Sequence, residues 1–456
     1  MTMSRKKLLA AGLAALTMLS ACGGESKNAD QPKTEQPPSS QTPPPAANQP
    51  AKKDITQEKL EVVFYSNNND PEESFDYRFG DSLRKKFPNW TIKYIRTGPG
   101  ATLQDLITNG TKFDIFFQTI GNFEAHAFPA GIQYDMTELI KNHGIDLNRI
   151  DPTIVNAVRT ASGGKFYGLP VFTTNLVLYY NKTLFDKFGV PYPTDGMLWG
   201  DMVELSKRLT RIENGVQYFG FTHSPAHTIR VNPMSIPRVD LKTDTPTINK
   251  DERWKQFFQA FFLDPFRVPG YLDGMKQINK IPDINNFVKD QIVGMYGYLS
   301  SLIYVWEKEL QQLNWDIVSL PTLESQKGIG SQSYPSYFGI TNFAPNKEAA
   351  MEALKYLLSD EFQSEMARKG IMPVLNNEAV KKELGKESPY KDRNWKAVFY
   401  NQFAPIPEMA VYDAGLVNQI TTAGVNAALD KTDLNTALRE AEEASVKYIE
   451  EYKRNQ

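Results

Sequence analysis

Three short apolar runs near the start of the globular body, separated by helical patterns, restrict the folds open to this chain more than any other feature. "LEVVFYS" (Leu60–Ser66) is almost continuously apolar and breaks into "NNND". Such a run reads as a buried strand with a polar exit loop. "SFDYRFGDSLRKKF" follows with helical spacing, and "TIKYIRTG" reads as a second strand. "TLQDLITNG" predicts a short helix stopped by Asn109-Gly110. "FDIFFQT" (Phe113–Thr119) is a third apolar strand with a polar end. This β-α-β-α-β order implies an α/β fold with a mainly parallel sheet covered by helices. In such sheets ligands bind outside the carboxyl ends of the strands. Ser66, Asn67, Asn68, Gln118 and Thr119 stand at those ends and are the first candidate ligand contacts.

The chain has one cysteine in 456 residues, Cys22, and it closes the leader "MSRKKLLAAGLAALTMLSACGG". A basic start (Arg5, Lys6, Lys7) and an apolar run from Leu8 to Leu19 give a secretory layout. That run is too short to span a bilayer core. Leu19-Ser20-Ala21-Cys22 resembles a bacterial lipobox, which is cut before a cysteine that then carries lipid. The implied arrangement is a signal peptide over residues 1–21 and lipidation at Cys22. The mature chain is then expected on the extracytoplasmic face of the cell membrane. With no other cysteine, the body has neither a disulfide nor a zinc-thiolate site. Residues 22–55 read as a tether, because seven of the twenty residues 31–50 are Pro and the rest are mostly small or polar. Such a segment buries no apolar face and is expected to be disordered or partly polyproline II. About 30 such residues reach roughly 90 Å if extended at ~3.1 Å each.

The remaining body of about 400 residues predicts two or three compact units. Formal net charge is −2, and loss of Arg5, Lys6 and Lys7 makes it about −5. The absence of a basic stripe argues against nucleic acid as a partner. Aromatic residues are abundant, with 26 Phe, 21 Tyr and 6 Trp, enough to fill a core and leave tyrosines for a binding surface. There is no Gly-x-Ser-x-Gly elbow, His-Glu-x-x-His pair or Walker loop. Asp70, Glu72 and Glu73 cluster in an exit loop, where carboxylates are ordinarily solvated, rather than as the spaced pair that glycoside hydrolysis needs.

The stretch "GGKFYGLPVFTTNLVLYYNKTLFDKFGVPYPTDGMLWGDMVELSKRL" (Gly163–Leu209) resembles the family 1 extracellular solute-binding proteins of ABC importers. "VGMYGYLSS", "WDIVSLPTLES" and "YFGITNFAPNKEAAMEALKYLLSDEFQSEMARKGIMPV" continue the likeness. "IPEMAVYDAGLVNQI" and the terminal "ALREAEEASVKYIEEY" look like the end of the maltodextrin-binding relatives. The resemblance runs from about Leu60 to Tyr452. It implies a two-lobed periplasmic-binding-protein type II fold with an interlobe cleft. Lobe one would hold 56–170 plus 331–374, and lobe two 171–330 plus 375–456. Hinge crossings would fall near Pro170–Asn175, Lys327–Ser333 and Pro373–Asn377. The implied function is solute capture by lobe closure, a hinge motion that a ligand favours through its higher affinity for the closed state. The implied partners are a small solute and ABC permease subunits, with the chain a monomer that is not an enzyme and needs no cofactor or metal.

A carbohydrate is the expected solute. Sugars need aromatic faces for their C–H side and amide, hydroxyl or carboxylate groups for their hydroxyls. Placed on the maltodextrin-binding pattern, Tyr298 falls where relatives often have a stacking Trp, and Tyr412 and Asp413 where they have another aromatic. Phe172, Thr174 and Asn175 fall at the first crossing, and Ser224, with His223 and His227, on a loop after a strand of lobe two. Tyr334 and Tyr337 flank the second crossing, and one of them is expected to line the cleft, Tyr334 being carried as a candidate. Tyr at 298, and Gln118 and Thr119 in the third-strand loop, depart from the maltodextrin pattern. Trp199 reads as core, and Tyr179-Tyr180 as a strand end rather than ferric ligands. His223 and His227 have the i, i+4 spacing of a metal pair, but Pro225 interrupts the helix that would present them. The open alternatives are a surface polysaccharide-acting enzyme and a binder of a polyamine, phosphate ester or metal ion.

Overall fold

A computed structural model describes residues 54–455 apart from Ser162. Cys22, the expected signal peptide over 1–21 and all of the expected tether except Asp54 and Ile55 lie outside the described residues. The strands are β1 (Leu60–Ser66), β2 (Trp90–Arg96), β3 (Ile115–Thr119), β4 (Leu169–Phe172), β5 (Leu176–Asn181), β6 (Arg211–Glu213) and β7 (Val216–His223). Then come β8 (Val239–Asp240), β9 (Thr245–Pro246), β10 (Val293–Leu299), β11 (Trp315–Ser319), β12 (Ile329–Gln332), β13 (Ser336–Ile340) and β14 (Gln402–Ala404). They build two five-stranded sheets, ordered β2-β1-β3-β13-β4 and β11-β5-β10-β7-β6.

The first three strands form where the apolar runs predict, and β1 runs parallel to both β2 and β3. The helix between β2 and β3 spans Leu103–Thr108; Thr102 and Asp105 cap it reciprocally, and Asn109-Gly110 ends it. The expectation of a mainly parallel sheet needs correction. β13 runs antiparallel to both β3 and β4, and in the second sheet only β10 and β7 are parallel. Local alternation reports only neighbours in sequence. β13 arrives after the chain has built the second sheet, and its direction is set by where it re-enters.

Large side chains hold each sheet to its helices. In the first, Phe117 stacks on Phe338 with centroids 4.6 Å apart, and Phe79 meets Phe338 edge-on at 5.2 Å. In the second, Trp199 meets Phe221 edge-on at 5.6 Å and donates its indole N–H to the Ala260 carbonyl at 2.9 Å. Gly220 lets the helix Trp199–Leu209 lie directly on β7, since a Cβ there would collide with the Ser206 backbone.

Three segments, two of them short, carry the chain between the sheets. Thr173-Thr174-Asn175 joins β4 to β5. Ser333-Tyr334-Pro335 joins β12, which pairs with β14, to β13 in the first sheet. Pro373 bridges Phe172 and Leu375 bridges Ile150 on the side of the first sheet. By Asn394 the chain has reached β11, where its backbone N–H is accepted by Asp316 Oδ1 at 2.8 Å. The segments are tied together: Thr173 N–H donates to the Met372 carbonyl (3.1 Å) and Tyr334 N–H to the Thr174 carbonyl (2.7 Å).

Candidate functional site

The carboxyl ends of β1 and β3 come together as a chain of polar contacts. Ser66 is fully buried, and its Oγ accepts the Asn68 N–H at 3.1 Å. Asn68 Oδ1 accepts from Gln118 Nε2 at 3.0 Å, and Gln118 Oε1 accepts the Thr119 N–H at 3.2 Å. Thr119 Oγ1 accepts from Asn122 Nδ2 and shares a hydrogen bond with the Tyr334 hydroxyl, both at 2.9 Å. Asn67 Oδ1 accepts from the Tyr65 hydroxyl at 2.8 Å. These hydrogen bonds fix the side chains in place, so their remaining donors and acceptors are oriented before any ligand arrives.

A second group stands at the carboxyl ends of the parallel pair β7 and β10. Ser224 leads into the helix Pro225–Arg230, and its backbone N–H donates to the Gly297 carbonyl at 3.1 Å. Ser224 Oγ lies 2.8 Å from His227 Nδ1. The His227 ring meets Tyr298 edge-on at 4.8 Å, and Tyr298 stacks on Tyr296 at 5.3 Å. Burial, with Arg230 adding to it, brings His227 down to about 4, so its imidazole is neutral at pH 7. Burial raises the Tyr298 phenol, and the Arg230 charge opposes that rise.

The two groups meet at Tyr334. Its ring lies under the Arg230 guanidinium, Cζ 5.7 Å from the centroid, while its hydroxyl reaches Thr119. Arg230, Gly121, Gln332, Ser333 and Tyr334 line a cavity between the two sheets' loops, of only about 10 Å³. That is barely room for one water. Gln332 Nε2 and Ser333 Oγ are buried there without a hydrogen-bond partner among the described residues.

Other expected contacts are engaged elsewhere. Phe172 packs in the first sheet's core against Phe79 and Phe338, at 5.8 and 6.4 Å, so it presents no face to a ligand. Asp413 is fully buried in an ion pair with Arg238, whose Nε lies 2.6 Å from Oδ2, and its carboxylate is consumed by that partner. Tyr412 donates to Asp244 and packs with Val239, Leu416 and Ile449 in a separate small cluster. Tyr412 supplies the expected aromatic, but the start of the helix Asp413–Ala428 commits both side chains to partners within the protein. Asn175 is buried at the first crossing, where Nδ2 donates to the Val398 carbonyl at 2.8 Å and the backbone carbonyl accepts from Ser300. Thr174 is buried beside it, its hydroxyl unpartnered. The Thr174 carbonyl accepts the Tyr334 N–H, and neither residue lines the cavity that Tyr334 lines. Of the two tyrosines at the second crossing, Tyr334 lines the cavity, while Tyr337 is core, packed edge-on against Phe123 at 6.3 Å. His223 is buried, its Nε2–H donating to the Phe261 carbonyl at 2.9 Å and its Nδ1 accepting from Thr228 at 2.8 Å, so neither nitrogen is free for a metal.

Sequence reasoning did not single out Arg230, Asn122, Gln332 or Ser333, and it placed His227 with Ser224 on the loop after a strand while weighing it as a metal ligand. Arg230 and His227 had a legible signal. They follow a strand end, by the same rule that selected Ser66 to Thr119. Gln332 and Ser333 fell within the expected second crossing, but nothing local marked them as enclosed, because only the meeting of the two sheets encloses them.

Two mixed sheets, joined by crossing segments and with polar strand ends turned toward one gap, define the two-lobed binding-protein fold. Solved structures share it. A sugar transporter of Rhizobium etli in an open conformation is 20% identical, with TM-score 0.64, over 86% of this chain and 99% of that one. An ABC substrate-binding protein of Listeria monocytogenes, in complex with cycloalternan, is 20% identical with TM-score 0.65 over 86% and 99%. The sugar-binding protein MalE of Xanthomonas citri is 14% identical with TM-score 0.64 over 86% and 98%. Residues 65–364 match the model of the bacterial extracellular solute-binding protein family, and the chain belongs to that family. Binding proteins of Brucella abortus and Brucella suis are 21% identical over 244 residues, 47% of this chain and 52% of theirs. The chain thus spans about half the length of the curated relatives it matches.

Proposed function

We propose that this protein is the solute-binding subunit of an ABC importer and captures a carbohydrate, an oligosaccharide, by closure of its two lobes. The observation that carries this reading is the meeting of two prearranged polar groups, one from each sheet, at Tyr334. A sugar between them would meet the amides of Asn67, Asn68 and Asn122 and the hydroxyls of Thr119 and Ser224 on its rim. It would meet the faces of Tyr298 and Tyr334 on its C–H side. Such polar groups discriminate strongly, because an analogue lacking a hydroxyl leaves them unpaired. A ligand pocket is ordinarily several hundred Å³, so a cavity of about 10 Å³ requires the lobes to part before a sugar enters. The three crossing segments are where such a motion is absorbed.

In this reading lobe one comprises 56–172 plus 331–374 and lobe two 173–330 plus 375–456, the first boundary lying at the end of β4 at Phe172 rather than at 170. Cys22 carries lipid, the Pro-rich segment is the tether, and a monomeric body delivers its sugar to permease subunits at the extracytoplasmic face of the membrane. No turnover of the ligand is part of this role. The alternative of a polysaccharide-acting enzyme predicts product release from labelled polysaccharide, which a binding protein does not give.

The test is a thermal-shift screen of the purified protein against mono- and oligosaccharides, polyamines, amino acids, phosphate esters and metal ions. Ligand at 100 times its Kd stabilises by ~2.7 kcal/mol, a shift of several degrees. A response confined to sugars supports the reading. A response confined to another solute class refutes the carbohydrate assignment.

A further inference from the structure

We propose that the solute captured in this cleft is an acidic carbohydrate, whose anionic oxygens pair with the Arg230 guanidinium. The inference rests on the carbohydrate reading above and narrows its substrate class. Arg230 is half-buried at the cavity, over the Tyr334 ring, and among the described residues it forms no ion pair. Two other arginines near the cleft are matched by carboxylates. Arg238, on the same cavity, is neutralised by Asp413, and Arg78, near the exit loop of β1, by Asp70 at 2.5 Å. Glu124, beside Gly121 in the cavity wall, is buried and accepts the Gly121 N–H at 2.7 Å. Burial pushes it up to about 7, which makes it a poor counter-ion for Arg230.

The neighbours of Arg230 add donors. Gln332 Nε2 is a buried N–H donor without an acceptor, and the Ser333 hydroxyl is likewise unpartnered. A guanidinium taken partly out of water without a carboxylate is costly, as is each buried donor left unpaired. All three deficits are met by one ligand group carrying negative oxygens. An arginine fork matches a carboxylate, sulfate or phosphate ester in two-point geometry, and the aromatic ring beneath it is a common companion. The same charge repels a polyamine, so the site discriminates against that class by like-charge contact.

The test is titration calorimetry on the intact protein with matched probe sets. These are neutral galactose and glucose oligosaccharides, galacturonate and glucuronate oligosaccharides of equal length, and sulfated and phosphorylated disaccharides. Wild type, Arg230→Gln and Arg230→Lys are compared, each checked for an unchanged melting temperature. The expected result is at least tenfold tighter binding of an acidic sugar than of its neutral counterpart, weakening as salt rises. Arg230→Gln should abolish that preference, weakening acidic-sugar binding at least tenfold more than neutral-sugar binding, and Arg230→Lys should retain part of it. If the preference lies with uronates the anion is a carboxylate, and if with the esters it is sulfate or phosphate; either supports the proposal. Tighter binding of neutral sugars, or a preference unaffected in Arg230→Gln, overturns it and leaves the carbohydrate reading standing. Silence toward every sugar, acidic and neutral, overturns both.

Discussion

Replacing Glu124 by Gln should change how stability depends on pH, and the structure fixes the size and direction. Glu124 lies in the first turn of the helix Asn122–Ala127, 7% exposed, with Oε2 accepting the Gly121 N–H at 2.7 Å. Burial pushes it from its usual 4.5 up to about 7. Between those values the folded protein holds a proton that the unfolded chain has released. The stability from this group is therefore full below about pH 4.5 and is lost as pH rises to about 7. At ~1.4 kcal/mol per pH unit the loss is about 3 kcal/mol. His223 works in the opposite sense. Burial holds it near 4 against an ordinary 6.5, so its contribution is present above 6.5 and is lost as pH falls toward 4. His227 adds to that limb. The wild-type profile is the difference of the two trends, and its shape alone cannot assign either. Gln at 124 keeps an oxygen for the Gly121 N–H but cannot ionise. Subtracting the wild-type curve from the Glu124→Gln curve isolates the carboxyl. Urea unfolding at several pH values from 4.5 to 7.5 should show the variant gaining up to about 3 kcal/mol relative to wild type across that range. A flat difference curve would show that Glu124 titrates normally and that the wall of the cavity is wetter than its burial implies.

Other substitutions probe separate links of the argument. Gly220→Ala should lower the melting temperature by several degrees, because its methyl group meets the Ser206 backbone rather than a movable side chain, and overpacking costs about 1–3 kcal/mol; a melting curve checks it. Asp413→Ala should destabilise by ~3–5 kcal/mol by stranding the buried Arg238 charge, and a loss under ~1 kcal/mol in chemical unfolding would mean that water reaches the guanidinium. Tyr337→Phe should be neutral or slightly stabilising, since its buried hydroxyl has no partner, whereas Tyr334→Phe should weaken ligand binding by removing the contact to Thr119. Tyr298→Ala should weaken sugar binding at least tenfold with little change in the melting temperature of the free protein. A large drop in melting temperature with normal binding would make Tyr298 a packing residue.

The candidate site was partly legible in the sequence. Polar residues after buried strands pointed to Ser66, Asn67, Asn68, Gln118 and Thr119, and the structure links four of them in a chain of hydrogen bonds that ends on Tyr334. The resemblance to binding proteins proposed Ser224 and Tyr298, and the structure brings them together through His227. It also proposed Phe172, Tyr412 and Asp413, which the structure commits to packing and to an internal ion pair. An aromatic or acidic residue in a family position has the same letter whether its ring meets a sugar or a core. What decides is the rotation of one helix start or one strand end, and no local pattern encodes that.

The sequence by itself determined the units of construction. The period of its apolar residues set strands and helices, Thr102 and Asn109-Gly110 bounded a helix, and the polar strand ends marked where a ligand would be met. These are local effects, governed by backbone sterics and by the burial of nearby side chains. Tertiary structure alone decided the direction of β13, the partner of Arg238 and the isolation of Arg230. Each of these depends on residues more than a hundred positions apart being brought within a few ångströms. A charge is matched or unmatched only by what the folded chain places beside it, and for Arg230 that is the ring of Tyr334, with no carboxylate in an ion pair with it among the described residues.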